Sequence, residues 1–519
     1  MVKKWKDRIP VCVAYPNTYY VGMSNLAVHL LYSTLNGMSD VVCERIFLEP
    51  GKPPRSVESG HPLKSFELVF FTFSFEMDYP NLVRGLKDAS IHPIADERTG
   101  REPLVIAGGM CVMANPEPIS PFVDLFVMGD IETTLSAMME RYRTLRGKRR
   151  QEVLDGLSAW PWMYNPRGLE VGYNDAGTVR DFNPEGFAVE IARYRGVHLA
   201  SSAIVSDKTE FSDMLLLEGT RGCPSRCPFC LTGNTNRFLH ERREELQEGI
   251  KDVGIIGGGV SFHPDLAGLI RGLKEKGLRV HLPSLRVDEV SLEVIDLIRD
   301  EVKTLTFGIE AGTERLRALL GKPVKDDELY AKIEAIAALK SFHLKLYFMI
   351  GVPSETAADV ERIVGLAKHA MNLMIKQGAK RGSVGSITVH ASPFVPKAAT
   401  PFQWLPMADM KDLKAKINLL KRGLARVPNT YFTHESVKYS FVQAVFSRGD
   451  RRLQGVISSF AEEDHNLTRI MRESPINLNF YATRQRGKDE VFPWDFIKGV
   501  QSKKQLYTRL LSVLPADAE

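Results

Sequence analysis

The sequence predicts an α/β chain with two sheets, a doubly wound parallel sheet followed by a partial barrel. Short, continuously apolar runs alternate with amphipathic stretches from residue 9 to 145, and the alternation resumes from 213 to about 390. Runs of this kind are those of parallel strands covered on both faces. Length is the second indication: 519 residues exceed what one hydrophobic core holds. Hydrophobic residues at 44% and charged residues at 25% give the balance of a folded, soluble chain. No signal peptide or membrane-spanning run is seen, so a reducing cytoplasm is the expected compartment.

In the first region, 1–145, five strands are expected at Ile9–Tyr15, Val41–Leu48, Leu68–Phe73, Leu104–Ala107 and Leu125–Met128. Helices are expected near 23–36, 79–89 and 131–145. Ligands of such sheets gather at the carboxyl ends of the strands. Those ends carry Asn17, Tyr19 and Ser24 after the first strand, and Ser74 after the third. Gly108, Gly109 and Met110 follow the fourth, and Gly129 and Asp130 the fifth. Glycine there permits close backbone approach to a ligand. No G-x-G-x-x-G follows the first strand, which disfavours a dinucleotide site.

A connector, 146–212, holds the basic run Arg146-Gly-Lys-Arg-Arg150 and a hairpin around 169–182. The run offers a nucleic-acid or membrane contact, although a solvated linker is the commoner use of such a run. From 213 to 405, strands are expected at Met214–Glu218, Val253–Ile256, Arg279–Leu282, Thr304–Ile309, Lys345–Ile350 and Ser386–His390. Helices are expected near 240–249, 265–276, 290–299, 313–320, 326–340 and 356–377. Six strand–helix units with right-handed crossovers make a partial (β/α)6 barrel with its function at the carboxyl-end loops. Residues 406–519 read as a mostly helical extension.

The motif with the most chemical content is Glu218-Gly-Thr-Arg-Gly-Cys-Pro-Ser-Arg-Cys-Pro-Phe-Cys230. Cys223, Cys227 and Cys230, spaced C-x3-C-x2-C, offer three thiolates to a cubane [4Fe–4S] cluster and leave one iron open for a substrate or cofactor. Electron-transfer clusters take four cysteines, and structural zinc closes with four ligands. Phe229 stands beside the last cysteine, where it can shield the cluster. Cys12, Cys43 and Cys111 account for the remaining thiols. Further along, each barrel strand end carries polar or glycine residues: Gly257, Gly258, Gly259 and Ser261; Ser284 and Arg286; Glu310; Ile350 and Gly351. His390, at the end of the sixth strand, is a candidate general base, with a packed or solvent-bridged histidine as the plainer reading.

The cysteine loop and the strand ends behind it resemble the radical S-adenosylmethionine enzymes over about 213–405. In that family the open iron chelates S-adenosylmethionine, whose cleavage gives a 5′-deoxyadenosyl radical. The resemblance implies backbone contact to the methionyl amine from Gly257–Gly259, either sufficient alone or helped by Ser261, because the family's acidic residue is missing there. It implies Arg286 and Ser284 on the methionyl carboxylate, Glu310 on the ribose hydroxyls, and the backbone of Ile350–Gly351 against adenine. An electron donor such as flavodoxin or ferredoxin is implied as partner.

Gly108-Gly109, Pro116-Glu-Pro118 and Asp124-x4-Gly129-Asp130 resemble the segment of the subgroup that carries a Rossmann-like, cobalamin-binding domain. Further stretches resemble a poorly characterised branch of it: Tyr15-Pro-Asn-x4-Gly-Met-Ser-Asn25, Leu346-Tyr-Phe-Met-Ile-Gly351, Phe394-Val-Pro-Lys397, Thr400-Pro-Phe-Gln-Trp404 and Ser447-Arg-Gly-Asp450. Cobalamin is therefore expected, bound by Asn17, Tyr19, Ser24, Ser74, Gly108, Gly109, Met110, Gly129 and Asp130. One departure is that residues 15–24 contain no histidine to ligate cobalt from below. The resemblance points to methylation of an unactivated carbon. Methylthio transfer with a second cluster on Cys12, Cys43 and Cys111, another radical reaction without cobalamin, and a non-catalytic cluster-bearing sensor are the alternatives. No residue pattern announces the substrate.

Overall fold

A computed structural model describes residues 3–241, 249–462 and 466–514. The expected helix near 240–249 lies mostly outside the described residues. The first sheet follows the expected strands closely: β1 (Ile9–Tyr15), β2 (Val41–Phe47), β3 (Leu68–Thr72), β4 (Leu104–Gly108) and β5 (Leu125–Val127). Its order is β2-β1-β3-β4-β5-β6, and β1 to β5 are parallel. The five-strand expectation is corrected by β6 (Met163–Tyr164), a two-residue antiparallel edge contributed by the connector. So short a strand has no periodicity to read.

The pleat divides β1 between two cores. Val11, Val13 and Tyr15 pack with the helix Leu26–Gly37, while Cys12 and Ala14 join the larger core on the other face. Cys43 lies with the former set. Cys12 and Cys43 therefore sit on opposite faces of the sheet, because successive side chains on neighbouring parallel strands in this register alternate. In this fold Cys12 and Cys43 do not converge on one cluster site.

The connector is ordered by ion pairs. Arg146 pairs with Glu67, Arg149 with Glu152, and Arg150 with the fully buried Asp124. The arginines of the basic run are thus engaged within the chain. A hairpin follows, β7 (Glu170–Tyr173) with β8 (Val179–Asn183), and then β9 (Val189–Glu190).

The second sheet opens with β10 (Met214–Glu218), after which β11 (Thr220–Arg221) pairs antiparallel with β12 (Leu239–His240). Then come β13 (Asp252–Ile256), β14 (Arg279–His281), β15 (Thr304–Glu310), β16 (His343–Ile350) and β17 (Ser386–Pro393). Strands β10, β13 and β14 form one parallel set, and β15 to β17 another; an isolated bridge from Leu285 to Phe307 joins them. A further parallel strand, β18 (Thr430–His434), extends the second set beyond the expected six. Its Thr-Tyr-Phe-Thr-His sequence is largely exposed, as an edge strand is, and offers no apolar run to detect.

The C-terminal extension spans both sheets. Asn115 donates to the carbonyls of Ser447 and Gly449, Arg451 pairs with the buried Glu117, and Gln443 and Lys397 both reach Glu76. Arg448, fully buried, donates to the carbonyls of Leu405 and Ala482. Ser447–Asp450 is therefore a tie between domains. Finally β19 (Ile497–Lys498) pairs with β9.

Candidate active site

The cysteine loop leaves β11 and enters the short helix Leu231–Thr235. Gly222 begins it at φ +69°, where a Cβ would lie 2.3 Å from the Arg237 carbonyl oxygen. Arg226, at φ +49°, bends the chain again between the first two cysteines. Cys227 is buried; Cys223 and Cys230 are half-buried. Ser225 Oγ lies 3.3 Å and Arg286 Nη1 3.8 Å from Cys227 Sγ.

Burial pushes the Cys230 thiol up, opposed by the N–H groups of Gly233 and Thr232 at its sulfur. Burial likewise pushes Cys223 up, with the charges of Cys227 and Cys230 adding to the shift and the Ser225 N–H and Arg286 opposing it. A bound metal favours thiolate by displacing those protons. Among the described residues no three Cys, His, Asp or Glu side chains converge on a single ion. A cubane asks for something else, one thiolate on each of three irons, and three cysteines in mutual electrostatic range fit that need.

Beside the loop, a cavity of about 320 Å³ is lined by Gly258, Gly259, Ser261, Ser284, Arg286, Glu310, Lys322 and Tyr347, among others. Residues that follow β13 and β14, the end of β15 with Lys322 beyond it, and Tyr347 within β16 thus meet around one cavity. Ser261 Oγ accepts from the Arg286 N–H at 2.9 Å. The Arg286 guanidinium is held by Asp288 and donates to Ser225 Oγ at 2.8 Å. Burial works against its charge, but Asp288 and then Cys227 keep its pKa above the ordinary guanidinium value. Any ligand carboxylate here therefore competes with Asp288 for the fork.

Glu310 pairs with Lys322 at 2.6 Å rather than capping the helix that follows, and stands at φ +70° on a β-bulge. A non-glycine residue held there is strained by about 1–3 kcal/mol, and such strain concentrates at functional sites. Lys322 also donates to the Gly308 carbonyl. Tyr347 stacks edge-on against His390, its register partner on β17, with ring centroids 4.9 Å apart. His390 bonds Thr433 Oγ1 at 2.8 Å, and burial, only partly offset by Glu435, lowers its pKa. It is thus neutral at neutral pH.

Two expectations need correction. Ile350 is fully buried in the core; its carbonyl accepts from Phe394 N–H, and Gly351 N–H donates to Glu355 at 2.6 Å. Those backbone groups are spent within the fold and do not line the cavity. Phe229 is half-buried but packs on an apolar group that includes Ala311, Leu316 and Phe394, away from the cavity lining.

A second cleft, about 390 Å³, opens where the carboxyl ends of the two sheets face one another. Ser24, Ser74, Gly109, Met110, Gly129 and Asp130 line it from the first sheet. Thr220, Arg221, Gly222, Gly257 and Gly258 line it from the barrel. Ser74 Oγ accepts from Asn25 across the switch point between β1 and β3. Gly109 (φ +104°) and Gly129 (φ +152°) leave no room for a side chain: a Cβ would come within 2.6 Å of the Phe73 carbonyl oxygen and 2.4 Å of that of Ala192. Gly108 lines a narrower apolar slot with Leu31, Phe70 and Met138. Asn17 and Tyr19 do not join the cleft lining. The Asn17 amide is bound to Asp78, and the Tyr19 hydroxyl to Ser206.

Sequence reasoning missed Lys322, Tyr347 and a latch at the cleft in which Arg221 pairs with Glu132 and Glu218. Arg221 immediately precedes Gly222-Cys223 and Glu218 lies just before it, but Glu132, 89 positions away, is brought close only by the fold.

Comparison with known proteins supplies the family. A family model described as radical SAM proteins, N-terminal, matches residues 27–166, and one described as the radical SAM superfamily matches residues 217–367. The chain belongs to the radical SAM superfamily. Radical SAM membership implies a [4Fe–4S] cluster and S-adenosylmethionine, and Cys223, Cys227 and Cys230 with the adjoining cavity fit both. The chain is 26% identical over 463 residues to the uncharacterized protein MJ0966 of Methanocaldococcus jannaschii, covering 87% of this chain and 91% of the relative. It is 24% identical over 171 residues to a tRNA-2-methylthio-N(6)-dimethylallyladenosine synthase of Erwinia tasmaniensis, covering 28% of this chain and 36% of that one. Among solved structures, the apo form of the cobalamin-dependent S-adenosylmethionine radical enzyme OxsB aligns with a TM-score of 0.48 at 11% identity, over 91% of this chain and 74% of that one. Among the described residues no helix is long and apolar enough to cross a membrane.

Proposed function

We propose that this radical SAM enzyme is a cobalamin-dependent methyltransferase acting on an unactivated carbon. The observation that carries the reading is the shared wall of the two cavities. Gly258 lines both the cavity beside the cysteines and the cleft at the end of the first sheet. A ligand on the first sheet is therefore a neighbour of one beside the cysteine loop. Bound in these places, the cluster would supply the electron for cleaving S-adenosylmethionine and the corrinoid would supply the methyl group.

The chain's own residues shape what approaches. Gly109 and Gly129 line the cleft in which a flat ring would lie, and no histidine of residues 15–24 is available as a lower cobalt ligand. Arg286 and Ser284 would meet a ligand carboxylate in competition with Asp288, and Glu310, paired with Lys322, would accept from hydroxyl donors. His390, neutral and next to Tyr347, is the candidate proton acceptor. A flavodoxin or ferredoxin is the expected class of electron donor.

One observation favours a second reading, a radical reaction without cobalamin: the cleft wall carries the charged set Asp130, Glu132, Glu218 and Arg221. The deciding experiment is anaerobic reconstitution with iron, sulfide and cobalamin, then product analysis. The methyltransferase reading expects retained corrinoid, 5′-deoxyadenosine and S-adenosylhomocysteine. Deoxyadenosine alone, with no corrinoid kept on the protein, would overturn it in favour of the second.

A further inference from the structure

The cysteine loop is gripped from outside the barrel by the last helix of the chain. Asn234, buried, donates from its amide to the carbonyl oxygens of Cys227 at 2.9 Å and Cys230 at 2.7 Å. Its own oxygen accepts from Gln501 Nε2 at 2.8 Å and from Arg509 Nη1 at 3.3 Å. Arg509 reaches past it and donates to the Arg226 carbonyl, between the first two cysteines. Gln501 precedes Ser502, the N-cap of the helix Lys503–Val513, and Arg509 lies on that helix. One carboxamide thus spends both ends of its dipole joining the loop to residues 267 and 275 positions away.

Two glycines close the grip. A Cβ on Gly233 would lie 2.8 Å from the Arg226 Cα, and one on Gly321, at φ +76°, would lie 3.1 Å from Pro228 Cδ and 3.3 Å from the Cys227 Cα. The Phe402 N–H holds the Pro228 carbonyl at 3.0 Å. None of these contacts is to a sulfur. They fix the backbone from which the sulfurs project. Without them, binding a cluster must itself order the loop, which costs conformational entropy. Residues that orient metal ligands from behind change metal retention even though they never touch the metal.

We propose that Asn234 is a positioning residue for the cluster loop, and that the C-terminal segment, through Gln501 and Arg509, completes the brace, so that cluster retention depends on the end of the chain. This rests on the reading that the three cysteines hold a cluster.

The test uses the full chain, reconstituted anaerobically, and follows loss of the cluster's visible absorbance to an iron chelator. Apo-protein melting is measured alongside. Asn234→Asp keeps the shape but replaces the donor with an acceptor facing two carbonyls. It should lose the cluster about tenfold faster than the parent, the lower end of what such supporting residues contribute. Gln501→Ala and Arg509→Met should lose it about threefold faster, with apo-protein melting unchanged. If Asn234→Asp does not fold, these two variants at half-buried positions decide. Parent-like stripping rates in the folded variants overturn the brace and leave the cluster in place. A parent chain that takes up no iron overturns the cluster reading, and the brace with it.

Discussion

The barrel rim and the carboxyl edge of the first sheet face each other across one cleft, yet they are built by opposite means. The rim is made of side chains: three thiols, Arg286 held by Asp288, and Glu310 held by Lys322. The sheet edge turns on two places where no side chain fits, Gly109 and Gly129, set among Ser24, Ser74, Met110 and Asp130. A small charged set borders it where Arg221 latches Glu132 to the barrel. The rim thus offers charged groups and thiols, and the edge offers positions where only backbone fits. A rim residue can be tested by removing a group, and an edge residue by adding one.

The largest effect is expected at the rim. Cys227→Ala leaves two thiolates where a site-differentiated cubane needs three. It should abolish both iron retention and deoxyadenosine formation, assayed on the same preparation; an active variant would break the comparison at its root.

At the edge, Gly109→Ala adds a methyl group at φ +104° against the Phe73 carbonyl. It should cost about 2–3 kcal/mol in urea unfolding and reduce corrinoid retention, while iron content stays at the parent level. Equal loss of iron would show that edge and rim are one site.

Asp78, just beyond the edge, tests burial without ligation. Burial, reinforced by Glu76 and opposed by Asn17, raises its carboxyl from 3.8 to about 6. The native state therefore binds this proton more tightly than the unfolded chain does. The stability it confers is present in full below about pH 4, declines as pH rises toward 6 and is lost above that, a span of about 2–3 kcal/mol. Asp78→Asn should flatten this part of the pH profile and raise stability at pH 8, as read from denaturant midpoints across pH. A parallel profile in the variant would assign the pH dependence elsewhere.

The smallest effect sharpens the rim. Glu310→Gln keeps the bulge but weakens the pair with Lys322 and any bond to a ligand hydroxyl. Affinity for S-adenosylmethionine should fall about tenfold, near 1.4 kcal/mol, with iron content unchanged, as measured by calorimetry on the reconstituted protein.

Most of the rim could be read in the chain because coordination chemistry restricts residue type and spacing. The C-x3-C-x2-C loop and the order of strand-end residues behind it survive any detail of packing. The strand runs were equally legible, since parallel strands buried on both faces must be continuously apolar. Ile350 and Gly351 failed as ligands for a reason the sequence does not carry: their backbone groups are taken by Phe394 and Glu355. Asn17 failed likewise, claimed by Asp78. Arg221 meets Glu132, and Asn234 meets Gln501 and Arg509, only because the fold brings them close.

The sequence by itself determined the thiol set, the two parallel sheets and the family, because local spacing and periodicity suffice for them. Only the tertiary structure decided that the two cavities share Gly258, that Cys12 and Cys43 face opposite cores, and that the last helix holds the first chemistry-bearing loop. Each of these depends on contacts between residues distant in the chain, which sequence periodicity does not encode.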